Sequence, residues 1–313
     1  RTEFHKVVRG WSYSTYTDVF ERLMRVVCSV TEKEDAKFIK TFTALVSARS
    51  DVEHAFLERK VALIVCALVL DQDKVESGDV FVALLELLDV IASKRAVVSP
   101  FVYEQMWLYL ILSTSQSRGP FDAGLDLDSV YQKICGVCST LVLNFPKYLR
   151  GRHNLVVSVL QNLMYGLCVV RPQSGKRADR VLPVEWKRPG WVSSVQSVGV
   201  KSALAYTRLL SNVCNPSPAV SSRKRGAGEL SSASGASRRG LSKHAPFLVI
   251  EYCHATLNYD FASDVRKELG VGMYTVFDVL GATELRVVNA GVDDAGRAIF
   301  RNVYADYRRF GKW

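Results

Sequence analysis

Apolar residues recur along most of the chain at the three-to-four-residue spacing of amphipathic helices. The first such segment covers 17–30, where one stripe holds Val19, Leu23, Val26, Val27 and Val30. A stripe of this kind is the face that a helix buries against its neighbours. Thr17 has a side chain suited to a helix N-cap and stands at the start of the segment, so we expect the helix to begin there.

The same spacing predicts further helices along the chain. They cover 35–48, 51–70, 78–93, 99–112, 127–144, 152–170 and about 197–213, and helices resume near Phe247. Ser99 followed by Pro100 is the clearest start, because serine caps a helix and proline fits its first position. The sequence has no long period-two runs and no Asn-Gly hairpin signal, so strands are not expected.

Helices joined by short loops, several of them apolar on two faces, predict an all-α fold. We expect an irregular helical-repeat solenoid of antiparallel helix pairs, like HEAT or armadillo arrays, because the inner helices of a stacked array bury two faces. No repeat with a fixed sequence signature supports this prediction. The expected division is a solenoid over 1–140 and a second helical domain over 141–313.

Two segments interrupt the helical pattern. Residues 171–196 hold three prolines, two tryptophans and six basic residues, and we interpret them as an extended connector packed by its tryptophans. Residues 215–246 are rich in Ser, Gly and Ala and contain no aromatic residue. Such a segment cannot bury enough apolar area to offset the entropy of ordering, so a disordered basic insertion is predicted there.

Positive charge is concentrated in the later part of the chain. Residues 1–100 carry 14 basic and 15 acidic residues, whereas the remainder carries 27 basic and 16 acidic residues. This asymmetry favours a polyanion or an acidic partner, with a charge that merely keeps the protein soluble as the alternative. The longest apolar run, 61–70, is well short of the roughly 20 residues of a membrane helix, so no membrane contact is expected.

The cysteines and histidines give little support to catalysis. Most of the seven cysteines lie in apolar helical runs, which favours a reducing compartment. Cys135 and Cys138 have CxxC spacing, but no second ligand pair completes a zinc site and no strand precedes them. We expect no enzyme, metal, cofactor or small-molecule substrate, and keep redox chemistry at these two cysteines as the alternative.

The last residues form a second amphipathic pattern, starting from Asp293 as the expected N-cap. At 100° per residue one arc holds Ile299, Phe300, Val303, Tyr304, Tyr307 and Phe310, and basic residues lie on the opposite side. A phosphate backbone or an acidic protein surface would fit these basic residues. The candidate contacts with such an anionic partner are Arg297, Arg301, Arg308, Arg309 and Lys312.

Residues 270–291, which are almost uncharged, are predicted as two short helices buried against the final helix. Gly270 and Gly272 would start the first helix through close approach or a positive φ, and Gly281 would end it. The predicted C-terminal packing joins Tyr274, Phe277, Phe300, Tyr304 and Tyr307.

A second basic cluster lies on the predicted insertion. Nuclear import or RNA contact would need such exposed charge, and a merely solvated loop is the alternative. The cluster consists of Arg223, Lys224, Arg225, Arg238 and Arg239.

Five phrases occur together in a recognisable order. They are GRHNLVVSVLQNL (151–163), YTRLLSNVCNPS (206–217), LVIEYCHATL (248–257), VRKELGVGMYTVFDVLGATEL (265–285) and NAGVDDAGRAIFRNVYADYRRFGKW (289–313). They resemble the C-terminal domain of the Urb-two/Npa-two family, the unhealthy ribosome biogenesis protein two family of large nucleolar pre-ribosomal proteins. The resemblance covers roughly 140–313, its last phrase is the most specific, and we extend it to the preceding helices by continuity.

The resemblance implies a non-catalytic scaffold in early pre-60S biogenesis and pre-rRNA processing, located in the nucleolus. Its implied partners are other nucleolar assembly factors: a related large scaffold protein and a subcomplex with a DEAD-box helicase. The basic C-terminal surface would dock a partner protein, pre-ribosomal RNA or both. An RNA-binding helical module that acts mainly through phosphate contacts is the alternative. The resemblance and the start at Arg1 lead us to expect part of a larger protein.

Overall fold

The fold is all-α throughout the residues that the structure, a computed structural model, describes. These residues are 2–29, 35–48, 54–71, 74–115, 121, 125–169, 188–192, 198–216 and 238–311. Within these ranges no strand occurs, and the one β-type pairing is an isolated antiparallel bridge between Val169 and Asp260. The predicted all-α class is therefore confirmed, while the repeat architecture and the antiparallel pairing stay predictions.

The helices follow the predicted order. Six belong to the first part of the chain: α1 (Thr2–Arg9), α2 (Tyr13–Val27), α3 (Asp35–Ala48), α4 (His54–Leu70), α5 (Gly78–Ser93) and α6 (Pro100–Ser113). Eight belong to the second: α7 (Leu127–Asn144), α8 (Pro146–Leu149), α9 (His153–Gly166), α10 (Val200–Cys214), α11 (Ala245–Asn258), α12 (Ser263–Phe277), α13 (Ala282–Gly291) and α14 (Asp294–Asp306). A π-helical turn, Tyr307–Gly311, continues α14.

Two helix starts show how capping sets the boundaries. The predicted start of α2 at Thr17 is wrong, because Ser12 caps the helix earlier and accepts a hydrogen bond from the Thr15 amide at 3.1 Å. Thr17 lies inside α2 and donates its hydroxyl hydrogen back to the Tyr13 carbonyl. The predicted start at Ser99 and Pro100 is confirmed, since the Ser99 hydroxyl accepts from the Val102 amide at 3.3 Å.

The described helices divide into two compact units. The first contains α1 to α6, in which α3 packs on α5 and α4 packs on α6. Its largest fully buried side chains include Tyr16, Phe20, Phe42, Phe81, Tyr103, Trp107 and Tyr109. The second unit contains α7 to the π-helical turn. The predicted domain division at residue 140 stays a prediction.

Two buried tyrosines hold the centre of the second unit together. Tyr131 of α7 donates its hydroxyl hydrogen to the Leu163 carbonyl at 2.9 Å, and Tyr206 of α10 donates to the Leu160 carbonyl at 3.0 Å. Both acceptors belong to α9 and lie three residues apart, on one face of that helix. The backbone of α9 is thus hydrogen-bonded from two neighbouring helices through side chains that water does not reach.

Asp128 links the first turn of α7 to the start of α10. Its carboxylate accepts a hydrogen bond from the Gly199 amide at 2.8 Å and another from the Ser202 hydroxyl at 2.5 Å. A helix N-terminus exposes amide hydrogens that lack intrahelical partners, and a carboxylate there also favours the helix dipole. Gly199, the N-cap residue of α10, has no side chain that could cap the helix. Asp128, which is distant in the sequence, takes that role.

The predicted disordered segment 215–246 is wrong at its C-terminal end. Residues 238–242 form a short helix, and α11 begins at Ala245. Leu241 is only 1% exposed and anchors this turn in the second unit, while Gly240 lies against the ring of His153. Burial of Leu241 therefore helps to order this short helix, although the segment around it has a polar composition. Residues 217–237, which include Arg223, Lys224 and Arg225, lie outside the described residues.

The glycines of α12 do not start the helix as predicted, because α12 begins at Ser263 and both lie in its interior. Gly272 allows close packing instead: a Cβ there would lie 2.9 Å from Thr207 Oγ1 and 3.1 Å from Leu210 Cδ1. Gly270 faces open space. Gly281 does not end α12 but lies at the N-cap of α13.

The two glycines of α12 give a matched stability test. Gly272→Val is expected to lower the free energy of unfolding by about 1–3 kcal/mol, because its side chain collides with α10. Gly270→Ala is expected to raise it by up to about 1 kcal/mol, because alanine favours the helix and meets nothing there. Urea denaturation measures both variants, and equal shifts of the two would contradict the close approach of α12 to α10.

Candidate functional site

The C-terminal helix is fixed at its start by a side-chain cap. Asp293 Oδ1 accepts a hydrogen bond from the Gly296 amide at 2.7 Å, so α14 begins where the sequence predicts. Phe300 and Tyr307, one on the helix and one on the π-helical turn, are 8% and 6% exposed. The apolar side of this segment therefore packs on the second unit and leaves the opposite side to solvent.

Five aromatic side chains meet at this end of the second unit, and we call them the C-terminal aromatic cluster. Phe277, the last residue of α12, is its centre, with ring centroids 6.3 Å from Phe300, 5.4 Å from Tyr304 and 5.3 Å from Tyr307. Tyr274 lies 5.9 Å from Tyr307. The structure thus brings together all five side chains that the sequence analysis named for the C-terminal packing.

The π-helical turn alters the predicted face of the last residues. A π turn takes up more residues than an α turn, so positions after Tyr307 no longer follow the 100° progression. Phe310, which that progression places on the packing arc, is 52% exposed instead. Gly311 lets the chain pass close to the cluster, since a Cβ there would lie 2.5 Å from Tyr307 Cδ2 and 3.2 Å from Tyr274 Cγ.

Asp278, the residue after α12, connects the cluster to two other segments. Its carboxylate accepts a hydrogen bond from the Tyr307 hydroxyl at 2.6 Å. Burial, reinforced by this hydrogen bond, raises the pKa of Tyr307 to about 12, so the hydroxyl stays a donor at neutral pH. The carbonyl oxygen of Asp278 accepts a hydrogen bond from the guanidinium of Arg238, which belongs to the short helix 238–242.

The predicted basic residues of the C-terminal helix fall into two groups. Arg297 is paired with Asp294 and also donates to the Asn289 carbonyl at 3.1 Å, so its charge is locally balanced. Arg301, Arg308 and Arg309 are exposed, and within the described ranges none of them pairs with a carboxylate. Lys312 lies outside the described residues. The exposed positive charge therefore begins at Arg301 and continues to the end of the helix.

Two other predicted basic residues, Arg238 and Arg239, are exposed on the short helix 238–242. From the sequence alone, both belong to the predicted flexible import cluster. The structure places Arg238 beside Asp278 and hence near Tyr307. Neither Asp278 nor the exposed position of Phe310 was identified from the sequence. Both depend on contacts between segments that are distant in the sequence. The only local signal near Asp278 was Gly281, three residues later, which is typical of a turn.

The cysteine pair lies in the core. Cys135 and Cys138 are buried on α7, and burial raises the pKa of both thiols, Cys135 well above its ordinary value. Thiolate, the reactive form, is disfavoured at such a site, which supports the interpretation of these cysteines as core residues. No group of three or more His, Cys, Asp or Glu side chains that could hold a metal is found in the described part of the chain. Nor is any helix there long and apolar enough to cross a membrane.

The sequence profile of the Urb2/Npa2 family matches residues 82–313 of this chain. The match starts inside α5, well before residue 140, and so includes helices that the sequence alone did not distinguish from generic ones. It runs through the C-terminal aromatic cluster and the basic end of the chain.

One curated relative is the "Probable nucleolar pre-ribosomal-associated protein 2" of Schizosaccharomyces pombe. It is 23% identical over 181 residues, which make up 58% of this chain and 13% of the relative. The chain therefore corresponds to a small part of that protein's length. No solved structure shows significant similarity to the chain.

Proposed function

Because this chain belongs to the Urb2/Npa2 family, we propose that it acts in ribosome biogenesis as a non-catalytic assembly factor for the large subunit. The observation that carries the proposal is the family match over residues 82–313, which covers most of the chain. The name of the fission yeast relative supports a nucleolar, pre-ribosomal setting. The proposed role includes pre-rRNA processing within the early pre-60S particle.

A scaffold role agrees with the kind of structure that the chain forms. Helical arrays offer long surfaces and need no catalytic cleft to hold partners together. In this proposal the helices belong to an irregular solenoid that docks other nucleolar assembly factors. The expected partners are a related large scaffold protein and a subcomplex with a DEAD-box helicase. The buried, protonated state of Cys135 and Cys138 supports the non-catalytic part of the proposal.

The docking surface proposed for this role is the basic end of the second unit. Arg301, Arg308 and Arg309 project from a helix whose other side is held by the C-terminal aromatic cluster. Rigid placement reduces the entropy lost when the arginines bind an anionic partner. That partner is an acidic surface of an assembly factor, pre-ribosomal RNA, or both. The alternative, an RNA-binding module with phosphate contacts alone, rests on the same exposed arginines.

Recovery of pre-ribosomal particles from cells tests the proposed function. The tagged chain is expected to co-purify precursors of the large-subunit rRNA, and Arg301→Glu with Arg308→Glu is expected to lower that recovery about tenfold. Arg297→Gln is the matched control, because the Arg297 charge is already balanced by Asp294. A chain that recovers no rRNA precursor, or only those of the small subunit, would refute the proposal.

Salt dependence separates the two forms of the proposal. Phosphate contacts release counterions, so an interaction made by them alone weakens steeply and linearly in a plot of log affinity against log salt. A scaffold that also holds its protein partner through apolar contacts outside these arginines retains that partner at high salt. Washing the recovered particles at increasing salt therefore distinguishes a docked scaffold from a module held only by RNA.

A further inference from the structure

Two basic segments that are far apart in the sequence meet at one corner of the second unit. The guanidinium of Arg238 donates to the Asp278 carbonyl, and the Tyr307 hydroxyl donates to the Asp278 carboxylate at 2.6 Å. Arg239 directly follows Arg238, and Arg308 directly follows Tyr307. The exposed arginines of the short helix 238–242 and of the π-helical turn therefore contact Asp278 themselves, as Arg238 does, or lie within two residues of a side chain that does. We call this region the Asp278 corner.

The Asp278 corner has an excess of positive charge. Among residues 238–242, 278 and 306–311 the acids are Asp278, which is hydrogen-bonded to Tyr307, and Asp306 at the end of α14. Against these two stand four exposed arginines, Arg238, Arg239, Arg308 and Arg309. A guanidinium has five N–H donors, so the bond from Arg238 to the Asp278 carbonyl leaves donors that can contact a phosphate.

An exposed aromatic ring lies beside one of these arginines. Phe310 is 52% exposed, and the guanidinium carbon of Arg309 lies 5.1 Å from its ring centroid. A single exposed phenylalanine is common on protein surfaces and by itself implies nothing. Here the ring contacts the Arg309 cation, and an exposed ring beside arginines is the arrangement by which proteins hold a nucleic-acid strand and stack one of its bases.

The combination favours RNA over an acidic protein surface. Carboxylates of a protein partner would pair with the arginines but would make no specific contact with the exposed Phe310 ring. A single-stranded segment uses both, because its bases are unpaired and can stack on aromatic side chains while its phosphates contact arginine. A duplex offers phosphates but keeps its bases stacked inside the helix, so the ring would remain unused.

We propose that the Asp278 corner binds a single-stranded RNA segment, with phosphates at Arg238, Arg308 and Arg309 and one base stacked on Phe310. This inference rests on the proposed role in ribosome assembly, which supplies RNA as the partner. It deepens that role by assigning one RNA class to one surface. The inference also assigns a role in RNA binding to Phe310, which was predicted to be packed but is exposed.

Binding of the full chain to labelled oligouridine tests the Phe310 contact. Phe310→Ala is expected to weaken binding about tenfold, as measured by fluorescence anisotropy, and to leave binding of an RNA duplex unchanged. Phe247→Ala, which removes another half-exposed phenylalanine on α11, is the matched control and is expected to change nothing. Equal affinities of the wild-type chain and the Phe310 variant for oligouridine would overturn the proposal.

The arginines are tested by charge and by salt. Arg308→Gln and Arg238→Gln are each expected to weaken oligouridine binding and to flatten the log–log salt slope by about one, whereas Arg297→Gln is expected to leave both unchanged. Competition by polyglutamate at matched charge concentration would instead assign the corner to an acidic protein and overturn the RNA assignment. If these variants bind oligouridine normally while the chain still recovers pre-ribosomal particles, this inference fails and the proposed function stands.

Discussion

Replacing Phe277 with alanine is expected to lower the free energy of unfolding by about 3–5 kcal/mol, the range typical of a buried phenylalanine. The side chain is 3% exposed and contacts three rings of the C-terminal segment, Phe300, Tyr304 and Tyr307. Its removal deletes buried apolar area and leaves a cavity between α12 and the C-terminal helix. The surrounding rings cannot close this cavity without moving the helix that presents the arginines.

Urea denaturation followed by circular dichroism measures the loss in the Phe277→Ala variant. Phe310→Ala is the control, because it removes the same atoms from a half-exposed position and is expected to stay within about 0.5 kcal/mol of the wild type. A Phe277 variant with an unchanged denaturation midpoint would show that the aromatic cluster does not hold the C-terminal helix. The proposed basic docking surface would then lose its rigid support.

The sequence predicted most helices because their apolar stripes are long and their caps are local. Ser99 and Pro100 mark the start of α6 by their own chemistry, and Asp293 does the same for α14. The start of α2 was misplaced because four residues with capping side chains lie within six positions, Ser12, Ser14, Thr15 and Thr17, and the local pattern does not decide between them. Tyr16 is fully buried in α2 and directs its hydroxyl toward the Leu45 carbonyl of α3. Such a contact is invisible to a local pattern.

The candidate site shows the same limit. Helical periodicity was sufficient to group Phe300, Tyr304 and Tyr307, because the first two lie on α14 and Tyr307 directly follows it. It failed at Phe310, because the chain changes to a π-helical turn at Tyr307 and passes close to Tyr274 at Gly311. The pairing of Arg238 with Asp278 joins segments with no sequence relation, and no pattern within either segment encodes it.

Raising the pH above 10 is expected to destabilise the second unit, and Tyr131 and Tyr206 together add a slope of about 3 kcal/mol per pH unit, because both must ionise in the unfolded chain but not in the folded one. Other buried groups with a raised pKa, such as the thiols of Cys135 and Cys138, add to this loss. Burial raises the pKa of both hydroxyls well above 10, and nearby Cys135 raises them further. Each hydroxyl donates to a carbonyl of α9, and a phenolate has no hydrogen to donate.

The loss of stability at high pH follows from the direction in which folding shifts the pKa of the two tyrosines. A folded pKa above the unfolded one means that the folded chain holds the proton longer, so the stability contribution is complete below pH 10 and is lost as the pH rises toward the folded pKa. Each tyrosine contributes about 1.4 kcal/mol per pH unit in that range, and two together give the expected slope.

Urea denaturation at pH 8, 9, 10 and 11 measures this slope, with tyrosinate absorbance as the second observable. The variant carrying Tyr131→Phe and Tyr206→Phe is expected to lose about 1 kcal/mol per hydrogen bond at pH 8. Above pH 10 its slope should be smaller than that of the wild type by about 3 kcal/mol per pH unit, because neither ring can ionise. If both proteins lost stability with the same slope against pH, other groups would control the alkaline transition. The hydroxyls of Tyr131 and Tyr206 would then not be the groups whose protonation stabilises the packing of α9.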